Sequence, residues 1–187
     1  MQTHDQRTVA TKGMHVTALV DYFLQLEGVD GESTDGAYKG WIQLQAWQWA
    51  EENSGRWGFG SGGGSGKVEM KDFEFRMVSN QASPKLFLLC AKGEHIPKAK
   101  LVCRKSGKGQ QDFMVVTFTN CLVSSFRTLG NCHSGFGAEN DADIVLPTDV
   151  IKLNFARIEI EYKEQQNDGT MGAVIKTGYD LMSNKQV

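Results

Sequence analysis

A glycine-rich segment is the first place where the sequence could support chemistry. Residues 58–63 match GxGxxG, whose glycines let the backbone approach a pyrophosphate. That motif binds a dinucleotide where it joins a strand to a helix, because the helix N-terminus meets the phosphates. A strand pattern begins at Val68 instead. Gly66-Lys67 imitates the end of a Walker loop, but Ser61 and Val68 replace the residues that loop requires. The segment is predicted not to bind nucleotides.

Groups that could act as nucleophiles or metal ligands lack the spacing of a catalytic centre. Residues 31–35 lack the second glycine of the GxSxG elbow of serine hydrolases. The histidines are scattered over the N-terminal segment and loops: His4, His15, His95 and His133. Cys132 and His133 are adjacent, but neighbouring side chains rarely converge on one metal without further ligands. We therefore predict no enzyme activity, no cofactor and no metal.

The cysteines indicate buried free thiols. No pair has CxxC spacing, and Cys103 and Cys121 lie within strand patterns. Cys90 lies on the apolar stripe of a predicted helix, and Cys132 follows in a loop. A disulfide framework is not expected for a chain of this length and cysteine spacing.

Composition limits the partners. The chain has 187 residues, 40% hydrophobic and 22% charged, which fits one soluble domain with a proper core. The formal net charge of -2 argues against nucleic acid, although four tryptophans could stack bases. No apolar run approaches the roughly 20 residues that cross a bilayer, and the first twenty residues lack the apolar core of a secretory signal. We predict synthesis in the cytoplasm without a signal peptide, and no membrane insertion.

A strand, a short helix and a second strand dominate the middle of the chain. Residues 68–77 alternate with a phase break near Asp72, which predicts a β-bulge. Ser83-Pro84 is typical of a helix start, with the serine as the cap, and Gly93 of a helix end. Alternation returns over residues 98–105.

Further strand patterns cover most of the remaining chain. They span residues 22–26, 41–49, 111–126, 150–162 and 173–181, and the fourth of these has another phase break, interpreted as a bulge. We predict a mainly β domain over residues 20–187, with two antiparallel sheets forming a barrel or sandwich and one short flanking helix. Residues 1–19 are predicted to be a flexible extension.

The predicted helix is apolar nearly all round. Its large apolar residues are consecutive: Leu86, Phe87, Leu88 and Leu89. A short helix of this kind is not stable alone in water, so it must be covered. Two readings stay open, in which the helix closes one end of a barrel or shares its second face with another subunit.

The second strand pattern contains three glutamines. Ile42 and Leu44 share one parity, which would expose Trp47 and Trp49 on the opposite face. A phase slip near Ala46 would bury both rings, and burying an indole gains more than a local irregularity costs. We therefore expect one outward polar face: Gln43, Gln45 and Gln48.

Ten ordered blocks along the chain have familiar sequences: 21–24, 31–33, 46–49, 64–68, 82–86, 90–95, 99–101, 122–125, 153–156 and 178–181. Together they resemble the haemolysin-coregulated protein family, Hcp, of the bacterial type VI secretion system. The resemblance implies a ring of six copies, stacking of rings into a secreted inner tube, and small effector proteins carried in the lumen. It also implies a contractile sheath and a spike protein as partners.

The resemblance assigns roles to the segments described above. The glutamine face would line the lumen, and the helix would contact a neighbouring subunit. The segment 53–66 would reach a neighbouring ring through a set of glycines and aromatic residues: Gly55, Trp57, Phe59, Gly62, Gly63 and Gly64. Two departures are the additional residues 1–18 and a longer segment at 129–147. The alternatives are a stand-alone β-barrel module that binds a ligand or nucleic acid, and an enzyme on the same barrel.

Overall fold

The computed structural model describes residues 20–53, 68–106, 110–130, 146–166 and 169–187. Within these ranges it contains eleven strands and one helix. In chain order they are β1 (Val20–Leu26), β2 (Ile42–Leu44), β3 (Ala46–Gln48), β4 (Glu51–Asn53), β5 (Val68–Met70), β6 (Phe73–Val78), α1 (Ser83–Lys92), β7 (His95–Lys105), β8 (Gln111–Leu129), β9 (Thr148–Gln165), β10 (Met171–Asp180) and β11 (Lys185–Gln186).

The strands form two antiparallel sheets. The larger sheet runs in the order β11-β10-β9-β8-β7-β1-β2, and β6 joins it at β9 and carries β3. β9 pairs with β8 along one edge, while its other edge pairs first with β6 through residues 148–153 and then with β10 through residues 157–165. The smaller sheet is the β4–β5 hairpin. The mainly β prediction is confirmed; the sheets do not close into a barrel, and a sandwich describes the fold.

Aromatic rings fill the centre of the core. Phe73 is fully buried and lies 4.7 Å from Phe118 and 5.8 Å from Phe75 between ring centroids, and Phe155 lies 4.9 Å from Phe118. Burial of each such side chain contributes about 1.5–3 kcal/mol relative to exposure. One cluster of buried residues joins β1, β2, β6, β7, β8, β9 and α1, so these elements share one core.

The predicted strand over residues 41–49 is interrupted at Gln45. β2 pairs with β1, whereas β3 pairs with β6, so the chain changes partner between Leu44 and Ala46. This change produces the predicted phase slip. Trp47 packs against the core at 6.2 Å from the ring of Tyr22. The slip therefore results from a change of partner strand, which local patterning could not distinguish from a bulge.

The phase break near Asp72 has a similar origin. Among the described strands β5 pairs with β4 alone, and β6 pairs with β3 and β9, so the predicted bulge is a break between two strands. The Asp72 carboxylate accepts hydrogen bonds from Ser124 Oγ at 2.5 Å and Asn154 Nδ2 at 2.8 Å. These bonds fix the chain where it turns from the hairpin into the larger sheet.

The helix spans Ser83–Lys92 as predicted, but its N-terminal cap differs. Ala82 is the N-cap and makes no side-chain capping bond, so the prediction of Ser83 as the cap is wrong. Ser83 Oγ instead donates to the buried Asp149 carboxylate at 2.5 Å and accepts the backbone N–H of Asn80 at 3.0 Å. Gly93 ends the helix with φ of 65°, in the left-handed region that glycine adopts without steric cost.

The phase break predicted in β9 extends across three strands. The buried residues on either side of it are three positions apart on each strand: Ile96 and Ala99, Phe118 and Cys121, Phe155 and Ile158. The pairing of β8 with β9 keeps one register from Phe118–Ile158 to Cys121–Phe155. A bulge would insert one extra residue in one strand and shift that register, so the phase break is not a bulge. At this level β7 has Pro97, and β8 has Asn120 with φ of 54°.

Candidate assembly and cargo surfaces

The three glutamines are exposed, but they belong to two ladders. Gln43 stands opposite Phe23 of β1, and Gln48 stands opposite Glu74 of β6. Directly paired residues project from the same face of a sheet, so Gln43 shares its face with Phe23 and Gln48 shares its face with Glu74. Gln45 lies at the interruption between the two strands. The structure does not bring Gln43 and Gln48 onto one ladder, and the lumen role stays a prediction.

The surface around Gln48 is charged as well as amide-bearing. Gln48 Nε2 donates to Glu74 Oε1 at 3.0 Å, and Lys152 Nζ lies 3.3 Å from Glu74 Oε2. Glu74 is 15% exposed, whereas Lys152 is 47% exposed. A molecule binding this face would meet an oriented amide, a shielded carboxylate and an accessible ammonium group. The sequence prediction included only the amide.

The helix has one buried face and one uncovered face. Leu86 and Leu89 are buried in the shared core, while Phe87 is 58% exposed and Leu88 is 45% exposed. The Phe87 ring lies 6.0 Å from that of Phe126 of β8 between centroids, in a T-shaped arrangement. We call Phe87 and Leu88 the helix patch. Of the four residues predicted to contact another subunit, Leu86 and Leu89 therefore pack within their own domain, and Phe87 and Leu88 remain accessible to a partner.

A second apolar surface continues the inner face of the larger sheet. Cys103 pairs with Met114, Met114 with Tyr162, and Tyr162 with Ile175, so the four side chains share one face. Cys103 is buried, but Tyr162 is 44% and Ile175 67% exposed. We call Tyr162 and Ile175 the sheet patch. Sequence analysis missed its exposure, because apolar alternation looks the same whether or not another layer covers the strand.

A groove of about 1000 Å³ lies next to the sheet patch. Its lining includes Ile158 and Ile160 of β9, together with Trp49 and Met70. The Trp49 Nε1 atom is buried without a hydrogen-bond partner. The base of the β4–β5 hairpin, at Asn53 and Val68, also lines this groove.

A buried guanidinium fixes the loop between β1 and β2 on the outer face of the larger sheet. Arg104 is 4% exposed and binds both oxygens of Asp35, at 3.0 and 2.6 Å. Its guanidinium carbon lies 4.8 Å from the ring centroid of Phe23 and 5.3 Å from that of Tyr38. Burial and the hydrogen bond to Asp112 raise the pKa of Tyr38, so its hydroxyl stays protonated as a donor. This cluster was not predicted, because Arg104 alternates with apolar residues and so lies on the polar side of the strand pattern over residues 98–105.

Some predicted residues lie outside the described ranges. They include the whole proposed ring-stacking set from Gly55 to Gly64, and Cys132 with His133. Cys90, Cys103 and Cys121 are free thiols. The described residues contain no group of three His, Cys, Asp or Glu side chains placed to hold a metal. No helix in the described part of the chain is both long and apolar enough to cross a membrane.

The described molecule is thus a β-sandwich with exposed apolar side chains on its helix and on its larger sheet. Comparison with known proteins defines it further. The model of the family described as "Type VI secretion system effector, Hcp" matches residues 23–162. The chain belongs to the Hcp family of type VI secretion proteins. This is a family of secreted structural proteins that is not known for enzyme activity.

Individual relatives agree with this placement. Protein hcp1 of Pseudomonas aeruginosa is 35% identical over 169 residues, covering 89% of this chain and 98% of that protein. Hcp1 from Salmonella typhimurium has a crystal structure 30% identical to this chain, with a TM-score of 0.70, covering 90% of this chain and 99% of its own. A structure titled as a type six secretion system protein is 27% identical, with a TM-score of 0.78 and coverage of 90% and 100%.

Proposed function

We propose that this chain is the tube subunit of a type VI secretion system. Six copies close into a ring, rings stack into a tube, and the tube carries small effector proteins in its lumen. Family membership supports the secretion system, and the two uncovered apolar patches support assembly. The observation that carries the proposal is the exposure of Phe87 and Leu88 on a helix whose other face is buried.

The two patches suit a head-to-tail interface. The helix patch lies on α1, and the sheet patch lies on β9 and β10, so each subunit has two different apolar surfaces. When one surface of a subunit binds the other surface of the next, the assembly is heterologous and can close into a ring. Full burial of a side chain such as Phe87 or Leu88 would contribute about 1.5–3 kcal/mol. We assign the helix patch to contact the sheet patch of the neighbouring copy.

Stacking and transport complete the proposed role. The segment 53–66 reaches the next ring, since its glycines let the backbone lie close to a partner. The exposed Gln43, Gln45 and Gln48 contact effectors in the lumen. The sheath and spike proteins are the remaining partners, and the protein leaves the bacterial cytoplasm through the secretion system.

Negative-stain microscopy of three purified proteins tests the ring and its interface. We expect the wild type to show closed rings of six, and the double variant Phe87→Ser/Leu88→Ser to show single subunits. Lys85→Ser is the matched control, because Lys85 is an exposed residue on the same helix. Rings in the double variant would overturn the helix contact alone. Single subunits in all three proteins at micromolar concentration would overturn the ring.

A further inference from the structure

Two exposed arginines stand in one cross-strand row of the larger sheet. Arg76 of β6 pairs with Val150 of β9, and Val150 pairs with Arg127 of β8. Directly paired residues project from the same face of a sheet, so the two arginine side chains share one face on either side of Val150. Both arginines are exposed, whereas Val150 is buried. We call Arg76 and Arg127 the arginine row, and two strand spacings place their Cα atoms roughly 10 Å apart.

The arginine row faces away from the core. Phe75 and Ile151, which precede and follow members of this row along their strands, are fully buried. Successive side chains of a strand point to opposite faces, so the row projects outward. On β8 the residue before Arg127 is Phe126, whose ring lies beside Phe87. The arginine row and the helix patch therefore lie on opposite faces of the sheet.

The arginine row borders the surface around Gln48. Gln48 pairs with Glu74, and Glu74 pairs with Lys152, which forms the next row on the same face. A depression of about 170 Å³ has Gln48, Glu74 and Arg76 in its lining. The arginine row and the predicted cargo residue Gln48 thus belong to one continuous surface.

The carboxylate on the adjacent row is already bound by other groups. Glu74 accepts a hydrogen bond from Gln48 Nε2 at 3.0 Å, and Lys152 Nζ lies 3.3 Å from its other oxygen. Within the described ranges, neither guanidinium of the arginine row has an ion pair or a side-chain hydrogen bond. A guanidinium binds a carboxylate through two parallel hydrogen bonds. The row on its other side is uncharged: Val78, Thr148 and Leu129. The arginine row therefore presents two groups that are free to bind carboxylates.

The charges around the arginine row favour a protein partner over a nucleic acid. Asp72 and Glu74 line one depression together with Lys152, so carboxylates lie close to the cations on this surface. A phosphate backbone carries continuous negative charge and would be repelled there, whereas a folded protein can place its own cations or amides opposite these carboxylates. The formal net charge of -2 also disfavours a polyanion as the partner.

We propose that the arginine row binds acidic side chains of the effector proteins that the tube carries. This inference rests on the proposed carrying of effectors and adds the chemistry of the cargo. Such a cargo presents two carboxylates about 10 Å apart, one for each guanidinium. Gln48, with its amide, contacts the neighbouring part of the same cargo surface.

Fluorescence anisotropy of the full chain with labelled peptides tests the proposal. The probe is a fluorescein-labelled Glu-Ser-Gly repeat, in which an extended backbone spaces the carboxylates by roughly 10 Å. The comparison peptide has Gln in place of every Glu. At low ionic strength we expect the wild type to bind the Glu peptide at least tenfold more tightly than the Gln peptide.

Variants assign the binding to the arginine row. Arg76→Gln/Arg127→Gln should bind the Glu peptide about tenfold more weakly, since two charge-assisted contacts are lost. Both positions are exposed, so the melting temperature should stay that of the wild type. Lys98→Gln/Lys185→Gln is the matched control, because it removes two exposed charges from β7 and β11. This control should bind the Glu peptide like the wild type.

Several results would overturn the proposal. They are equal affinity of the wild type for the two peptides, undiminished binding by the arginine double variant, and equal losses in that variant and the lysine control. Tighter binding of a single-stranded DNA oligonucleotide of the same charge would show a nucleic-acid surface instead. Single subunits and rings can both be titrated, so rings that fail to bind the Glu peptide overturn this inference alone. Binding by a protein that forms no rings overturns only the ring.

Discussion

Arg104 and Asp35 form a bidentate ion pair that joins β7 to the loop between β1 and β2. The two N–O distances are 3.0 and 2.6 Å, and the guanidinium is almost completely buried. A second carboxylate, Asp21, lies 3.6 Å away, and Ser106 Oγ donates to it at 2.9 Å. Loss of Asp35 would leave the buried guanidinium with only the more distant Asp21 carboxylate as a partner, and breaking a buried pair in this way is destabilising. The pair therefore helps to hold this loop on the sheet.

This pair predicts a specific dependence of stability on acid. The hydrogen bond from Arg104 holds the pKa of Asp35 at about 2, below its usual 3.8. The folded state thus binds this proton less readily than the unfolded state, so the stabilisation is complete above pH 4 and is lost as the pH falls toward 2. In Asp35→Asn the melting temperature should lie below that of the wild type at pH 5, and the difference should shrink toward pH 2. Asp30→Asn, which removes an exposed carboxylate from the same loop, is the matched control for the change of charge.

Gly31 predicts a second effect on the same loop. A Cβ there would collide with the carbonyl group of Trp41 and lie 2.6 Å from the backbone nitrogen of Ile42. These are backbone atoms, so the loop must shift, and Gly31→Ala should lower the free energy of unfolding by about 1–3 kcal/mol. Gly36→Ala faces open space and should change it by less than about 0.5 kcal/mol. Urea unfolding of both variants would decide; equal stabilities would contradict the close approach.

Elements that rest on local patterns were predictable from the sequence. The span of α1 followed from Pro84 and Gly93, because both residues act on the backbone around them. The prediction of Ser83 as the N-cap was wrong, since the Ser83 hydroxyl group donates to Asp149, a residue 66 positions away. The phase breaks were found correctly, but their causes were not. A change of partner strand at Gln45 and a bulge leave the same pattern in the chain.

The exposed surfaces were less predictable, because exposure depends on contacts between residues that are distant in sequence. The helix was expected to need a cover, and the structure covers Leu86 and Leu89 while leaving Phe87 and Leu88 exposed. The sheet patch was missed because Tyr162 and Ile175 continue an alternation whose other members are buried. Whether a face is covered depends on strands distant in sequence. The resemblance to the Hcp family is carried by many short blocks, so it could be recognised without knowledge of that packing.

Thiol labelling should separate the cysteines. Burial raises the pKa of Cys103 and Cys121 to about 12, so roughly one thiol in ten thousand is ionised at pH 8. In a Cys132→Ser background, Cys90, which is half-buried, should react first with a thiol reagent, and the other two only after unfolding. Adding Cys90→Ser should abolish the fast phase. Fast reaction of two or more thiols in the folded protein would show that the core is open.

The cargo face is tested at Gln48. In Gln48→Arg the new guanidinium would bind Glu74 and compete with Lys152, which changes the charge of this surface. We expect rings to form as in the wild type, but the set of small proteins that co-purifies with them to change. Gln186→Arg is the control, because Gln186 is exposed and lies on β11, which pairs with β10 and not with the strands next to the three glutamines. An unaltered set of co-purifying proteins in Gln48→Arg would show that this face does not contact cargo. Loss of rings would show that Gln48 has a packing role.

The native mass tests the central claim most directly. Light scattering coupled to gel filtration of the full chain at micromolar concentration should give six times the 20.7 kDa of one subunit. The assembly should be closed, so the mass should stay constant over a tenfold dilution, because a ring has no free ends from which to lose or gain subunits. A stable species of 20.7 kDa under these conditions would contradict the account.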